Sequence, residues 1–216
     1  MKIAVCTPHM GFIRAACAGS LNLLVARTMA TTINYNGKDV QPEFGFFYEG
    51  TGPLEYKRTQ LALRASAWGA DYHLLLDWDH TFPSDAFLRL AAHDLPVVGA
   101  NYVMRHGEAL PVALIETDKR FRGTGIEPVA AIGLGLCLVK AEVFRLTPRP
   151  WFQNHMNDDG ELVCGEDVHF CNQVRSAGIP IFLDSSLRVG HIAEVTKHLE
   201  EEGDEGHPAL PASAAQ

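Results

Sequence analysis

The first hundred residues alternate between short β-prone runs and longer stretches with helical spacing, and few architectures accommodate that rhythm. The runs at 2–6 (KIAVC), 43–48 (EFGFFY), 73–76 (HLLL) and 96–100 (PVVGA) read as strands. Thr7-Pro8 stops the first, and Gly50-Thr51-Gly52-Pro53 closes the second. Between them, 20–33 places Leu21, Leu24, Val25 and Thr28 on one helical face. The segment 54–68 repeats the pattern through Leu54, Leu61, Leu63 and Ala65, with Gly69 as its stop. A short helix is predicted over 85–92, with Ser84 as its candidate N-cap. Strands alternating with helices of this length predict βαβ units: an α/β single domain with a mostly parallel central sheet flanked by helices.

After residue 100 the rhythm changes. The stretch 105–125 is polar and Gly-bearing, with one short β-like run at 111–115. An apolar, Gly-punctuated strand is expected over 129–139, a helix over 165–177 capped by Gly178, and a last strand over 179–183. From Glu194 onward six acids (Glu194, Glu200, Glu201, Glu202, Asp204, Glu205) stand against Lys197, so more than half of the net charge of −8 lies there. The segment 196–216 is therefore expected to be an acidic, disordered tail. With the charge so placed, the acidic balance argues only weakly against nucleic acid, and an anionic acceptor stays open.

No apolar stretch approaches the ~18 residues of a membrane span. The opening MKIAVCTPHM reads as a first strand rather than a signal peptide, so the expected location is the cytoplasm. Five scattered cysteines without a C-x-x-C pair favour reduced thiols over a disulfide framework or a structural zinc site.

The sharpest chemical signal is LLLDWDHTFP at 74–83. Side chains two apart on a strand share a side, so Asp77 and Asp79 are expected to project together from the strand's carboxyl end. Open α/β sheets bind ligands at that edge. Two adjacent carboxylates call for a proton or a cation between them, and hard oxygen ligands suit Mg²⁺ or Mn²⁺. The alternative is a pair of loop aspartates capping the next helix. The second signal is GEDVHFC at 165–171, where Glu166 and Asp167 open a helix; stabilisation of the helix dipole is the plain reading of that pair. The third is His191 in VGH, a residue type that ligates Mn²⁺ alongside carboxylates.

Taken in order, IAVCTPHMG, RASAWGADYHLLLDWDHTFPSDAFLRL, IGLGLCLVKAEVFRL, PWF at 150–152, GEDVHFC and VGH resemble a small GT-A (Rossmann-like) glycosyltransferase of the family 2-like, bacterial or phage type. The resemblance covers residues 1–195, with 1–101 as the nucleotide-sugar half and 102–195 as the acceptor and catalytic half. It implies transfer of one sugar from a nucleoside-diphosphate sugar, a UDP-sugar foremost, to a hydroxyl. It further implies a divalent metal, Mn²⁺ or Mg²⁺, held by Asp77, Asp79 and His191, with Asp77 also facing the donor. Asp167 matches the catalytic base of inverting members, with Glu166 as the alternative. Thr7, Pro8, Arg58 and Trp78 match donor-side positions, and Trp151 an acceptor-side one. Glycan, lipid-linked glycan, protein and modified phage DNA all stay open as acceptors. Where relatives read a D-D-G-S-like turn, this chain has Tyr48-Glu49-Gly50-Thr51, which leaves the base open.

Two other readings share these residues. D-W-D-H-T fits the D-x-D-x-T signature of haloacid-dehalogenase-type phosphatases, with Asp77 as nucleophile and Lys119, Lys140 or Lys197 as the partner lysine. A non-catalytic protein that only binds a nucleotide-sugar would keep the fold without turnover.

Overall fold

A computed structural model of the protein describes residues 1–104, 111–115 and 125–193. The expected tail at 196–216 lies outside these residues, as do Lys119, Lys197 and most of the polar stretch after residue 104. The seven-stranded sheet contains β1 (Lys2–Pro8), β4 (Glu43–Glu49), β5 (Tyr72–Leu76), β7 (Val97–Ala100), β8 (Ile126–Pro128), β9 (Leu136–Lys140) and β12 (Phe182–Asp184). Their spatial order is β4-β1-β5-β9-β7-β12-β8. β4, β1, β5, β7 and β12 run in one direction, while β9 and β8 run against it.

The helices are α1 (Ala15–Met29), α2 (Leu54–Trp68), α3 (Ala86–Ala92), α4 (Ala141–Leu146) and α5 (Glu166–Ser176). Short pairs complete the chain: β2 (Ile33–Tyr35) with β3 (Lys38–Val40), β6 (His80–Thr81) with β13 (Gly190–His191), and β10 (His155–Met156) with β11 (Leu162–Cys164). No helix of the described residues is long and apolar enough to cross a membrane. The five cysteines are free, and all but Cys164 are buried.

Strand alternation divides the core between the two faces of the sheet. Ile3, Val5, Leu74 and Leu76 pack with Leu21, Leu24, Phe87 and Leu90 of α1 and α3. Ala4, Cys6 and Leu75 pack on the other face with Leu61, Ala65, Phe144, Phe170 and Val174 of α2, α4 and α5. Each face thus supplies one layer of a helix–sheet–helix sandwich.

The structure corrects several expectations. α1 begins at Ala15, five residues before the predicted start, in an Ala-rich stretch whose helix propensity outweighs Gly19. It stops at Met29, and Ile33 belongs to β2. Asp85, not Ser84, occupies the N-cap of α3, and it makes no capping hydrogen bond through its side chain; the Ser84 hydroxyl accepts from Arg27 instead. The expected strand over 129–139 begins only at Leu136, and the run at 111–115 forms isolated bridges, Val103 with Pro111 and Leu114 with Ala131. The mostly parallel sheet is as expected, and β9 is one of its two reversed strands. Its residues are buried on both faces, so no polar alternation marked it as a reversed strand.

Candidate active site

The functional side chains gather where β1, β4 and β5 end, the carboxyl edge of the parallel strands. β5 finishes at Leu76, and the Asp77 amide still donates to the Gly135 carbonyl at 3.0 Å. The chain then turns through Trp78 and Asp79 into β6, which pairs antiparallel with β13 and sets His80 opposite His191. Trp78 is half-buried and packs edge-on against Phe12, with the Arg14 guanidinium 5.3 Å from its ring; it walls the loop after β1.

The two aspartates therefore part company. Asp77 Oδ1 accepts from Arg58 Nη2 at 2.9 Å. Asp79, 1% exposed, instead joins His80 and His191, and ligand atoms of the three lie within 4.8 Å of one another. The geometry brings Asp79, His80 and His191 together and gives Asp77 to the arginine.

The hydrogen bonds at His191 define what this group can hold. Its Nδ1 lies 2.9 Å from the Val103 carbonyl, which can only accept, so Nδ1 carries the proton. In a neutral ring Nε2 then presents a lone pair, 3.4 Å from Asp79 Oδ2. Two acceptors facing one another require a proton or a metal cation between them. An imidazole nitrogen oriented by a backbone carbonyl beside a carboxylate oxygen is a donor set that fits a divalent cation. The His80 ring stacks on His191 at 4.5 Å and touches Tyr102 edge-on at 4.3 Å. Its Nδ1 is 3.3 Å from Asp79 Oδ1, yet neither ring nitrogen finds a hydrogen-bond partner among the described residues. Burial lowers the His80 pKa to about 4, so the ring is neutral at pH 7. Gly135 makes room for it, since a Cβ there would lie 2.6 Å from His80 Cε1.

Arg58 links this edge to α5. It is 3% exposed and donates through Nε to Glu166 Oε1 at 3.1 Å as well as through Nη2 to Asp77. The flanking carboxylates outweigh its desolvation and raise its pKa, so it stays charged. Asp167, next to Glu166, accepts from the Val168 amide at 2.7 Å. Burial, reinforced by the Glu166 charge, raises its pKa from 3.8 to about 6. Arg58, Asp77, Glu166 and Asp167 thus form one electrostatic unit although they span more than a hundred residues of chain.

Thr7 and Pro8 end β1 and are buried, and the Thr7 hydroxyl has no hydrogen-bond partner among the described residues. Lys57, absent from the sequence expectations, is 5% exposed and donates from Nζ to the His9 carbonyl at 2.9 Å, tying α2 to the loop after β1. No sequence signal separates it from a surface lysine. Glu49, in the Tyr48-Glu49-Gly50-Thr51 turn, accepts from the Thr51 amide at 2.9 Å. Trp151 sits elsewhere: it is 4% exposed, donates to the Thr147 carbonyl and packs edge-on against Phe144, a setting that serves the core. Lys140, one of the lysines the phosphatase reading needs, binds Asp94 at 2.6 Å; it ends β9, at the edge of the sheet away from Asp77.

No family model matches the chain, and no curated protein sequence does. Solved structures do. A197 from STIV aligns over 90% of this chain and 87% of its own, with TM-score 0.61 and 18% identity. GalNAc-T7, solved with UDP, GalNAc and Mn²⁺, aligns over 89% with TM-score 0.56 and 13% identity. S. aureus TarS 1-349, solved with UDP-GlcNAc, aligns over 92% with TM-score 0.52 and 13% identity. The chain spans 44% and 60% of the length of the latter two. Together with the mixed seven-stranded sheet and its layers of helices, these likenesses establish that the chain has the GT-A fold.

Proposed function

We propose that the protein is a metal-dependent glycosyltransferase that moves a sugar from a nucleoside-diphosphate donor, a UDP-sugar first, to an acceptor hydroxyl with inversion. One juxtaposition carries the reading: the Asp79–His191 pair, suited to a divalent cation, and Asp167, a carboxylate with a raised pKa, are joined through Asp77, Arg58 and Glu166 at one sheet edge. The two fold neighbours solved with UDP or UDP-GlcNAc, one of them with Mn²⁺, support the same chemistry.

Asp79 and His191 would hold the metal, with His80 beside them. When bound, a divalent ion stabilises the negative charge that develops on the departing diphosphate. The chain's own residues do the rest. Arg58 keeps Asp77 in place at the donor side, and Thr7, Pro8 and Trp78 frame the space toward the base. Asp167 accepts the proton of the acceptor hydroxyl as its oxygen bonds to the anomeric carbon. The bond from that carbon to the diphosphate breaks on the opposite face, which inverts the centre. A base with a pKa of about 6 is ionised at neutral pH and still basic enough to take that proton.

A thermal-shift screen of the full chain with Mn²⁺ and nucleoside diphosphates tests the reading. A nucleotide that binds should stabilise by about 3 kcal/mol at a hundredfold excess over its Kd, only with metal present, and Asp79→Asn should abolish the effect. No stabilisation by any nucleotide or nucleotide-sugar would overturn it. A retained anomeric configuration in the product would remove Asp167 from the base role.

A further inference from the structure

We propose that the cleft between the C-terminal turn of α2 and the segment 144–151 is a second anion site, taking an oxyanion of the phosphate class. The cleft encloses about 450 Å³ and is lined by Ser66, Phe144, Arg145, Thr147, Arg149 and Trp151. It lies far from the candidate active site. α4 follows β9, which runs antiparallel to β5, so this cleft opens where β5 begins rather than where it ends. The five residues of β5 put about 16 Å between the two edges.

The chemistry of the lining is one-sided. In a chain of net charge −8, the stretch 143–151 (VFRLTPRPW) has two arginines and no acid. Both guanidinium groups are exposed, and no carboxylate of the described residues forms an ion pair with either. Arg149 is held over the Trp151 ring at 4.5 Å, a cation–π contact that restrains its side chain before any ligand arrives. Thr147 lines the cleft, and its buried hydroxyl has no hydrogen-bond partner among the described residues. Two guanidinium groups that no described carboxylate engages, lining one cleft, supply what a tetrahedral oxyanion accepts: forked N–H donors.

The acids nearby are accounted for. The adjoining cleft shares Ser66 and Arg145 and contains Asp71, Asp94 and Glu142. Asp94 is bound by Lys140, and Asp71 accepts from the Lys2 amide and the Tyr35 hydroxyl. Glu142 lies one turn before Arg145 on α4, so the anion is placed at the Arg149 and Thr147 end.

Arginine side-chain NMR on the full chain tests the proposal in EDTA and without nucleotide, so that failure of the glycosyltransferase reading leaves it intact. Sodium phosphate and glycerol phosphate are the probes, titrated at constant ionic strength. The Nε–H resonances of Arg145 and Arg149 should shift saturably while that of Arg58 stays fixed. Binding of both probes identifies a phosphate monoester as acceptable, and binding of inorganic phosphate alone confines the site to the free ion; either supports the site. By isothermal titration calorimetry under the same conditions, Arg145→Gln/Arg149→Gln should weaken phosphate binding at least about tenfold, the loss of one charge-assisted hydrogen bond or more. Should that double variant fail to fold, Thr147→Val and the parent resonances carry the test. Shifts that grow linearly without saturation, shifts centred on Arg58, or unchanged affinity in the double variant would overturn it.

Discussion

Removing the Arg58 charge while keeping its length isolates the electrostatic unit. In Arg58→Met the methionine fills the space of the aliphatic stem, and the hydrogen bonds to Asp77 at 2.9 Å and Glu166 at 3.1 Å disappear. Breaking a buried charge pair by removing one partner costs about 3–5 kcal/mol. The Asp77 side chain is 23% exposed and the Glu166 side chain 12%, so water reaches both, and the low end of about 3 kcal/mol applies. In a domain of this size each kcal/mol moves Tm by about 2–4 °C, giving a drop of about 6–12 °C at pH 7.5 by calorimetry. Adding Glu166→Gln to Arg58→Met should then restore part of the loss, since it deletes one stranded charge. A drop under about 1 kcal/mol, or strict additivity of the two substitutions, would refute the idea that one arginine neutralises both ends.

Asp167→Asn should lose turnover by about 10²–10⁴-fold in a donor-transfer assay, and the parent kcat/KM should fall below about pH 6, where the base takes up its proton. Since Glu166 raises that pKa, Glu166→Gln should move the acidic limb to lower pH. The folded state binds the Asp167 proton more tightly than the unfolded chain, so stability falls as pH rises from about 4 to about 6. Asp167→Asn should therefore be more stable than the parent at pH 7.5, by about 1–2 kcal/mol in urea melts. His73 lies fully buried against Phe144 with neither ring nitrogen hydrogen-bonded to a described residue, and burial lowers its pKa from 6.5 to about 4. Here the unfolded chain binds the proton more tightly, so stability falls as pH drops from 6.5 to about 4, and His73→Leu should flatten that part of the curve by up to about 3 kcal/mol. Gly135→Ala should cost about 1–3 kcal/mol by forcing a methyl against His80 and Tyr102, and should weaken Mn²⁺ stabilisation; an unchanged melt would show that the rings give way freely.

The strands β1, β4, β5 and β7 were legible because each is a short apolar run between turn residues, and turn chemistry is local. The direction of β9 was not: every one of its side chains except that of Lys140 is buried, and a run buried on both faces carries no mark of which neighbour it opposes. Asp79, His191 and the Glu166-Asp167 pair could be picked out by residue type and by resemblance. What joins them could not. Arg58 reaches Glu166 across 108 residues of sequence, and only the seating of α2 and α5 on the same face of the sheet creates that contact.

The parting of Asp77 and Asp79 has a local cause that the spacing rule overlooked. The rule holds only while the strand continues, and this strand ends at Leu76. Gly135 accepts the Asp77 amide at its carbonyl and donates its own amide to the Tyr102 hydroxyl, and its missing Cβ leaves the space that the His80 ring fills. With His80 seated there, β6 pairs with β13, and Asp79 turns toward His191 rather than alongside Asp77. The signal was present in the sequence as the G-L-G-L at 133–136, where glycines two apart leave one side of the chain bare. Read as punctuation in a strand it says little; read as a slot for aromatic rings it places the second aspartate.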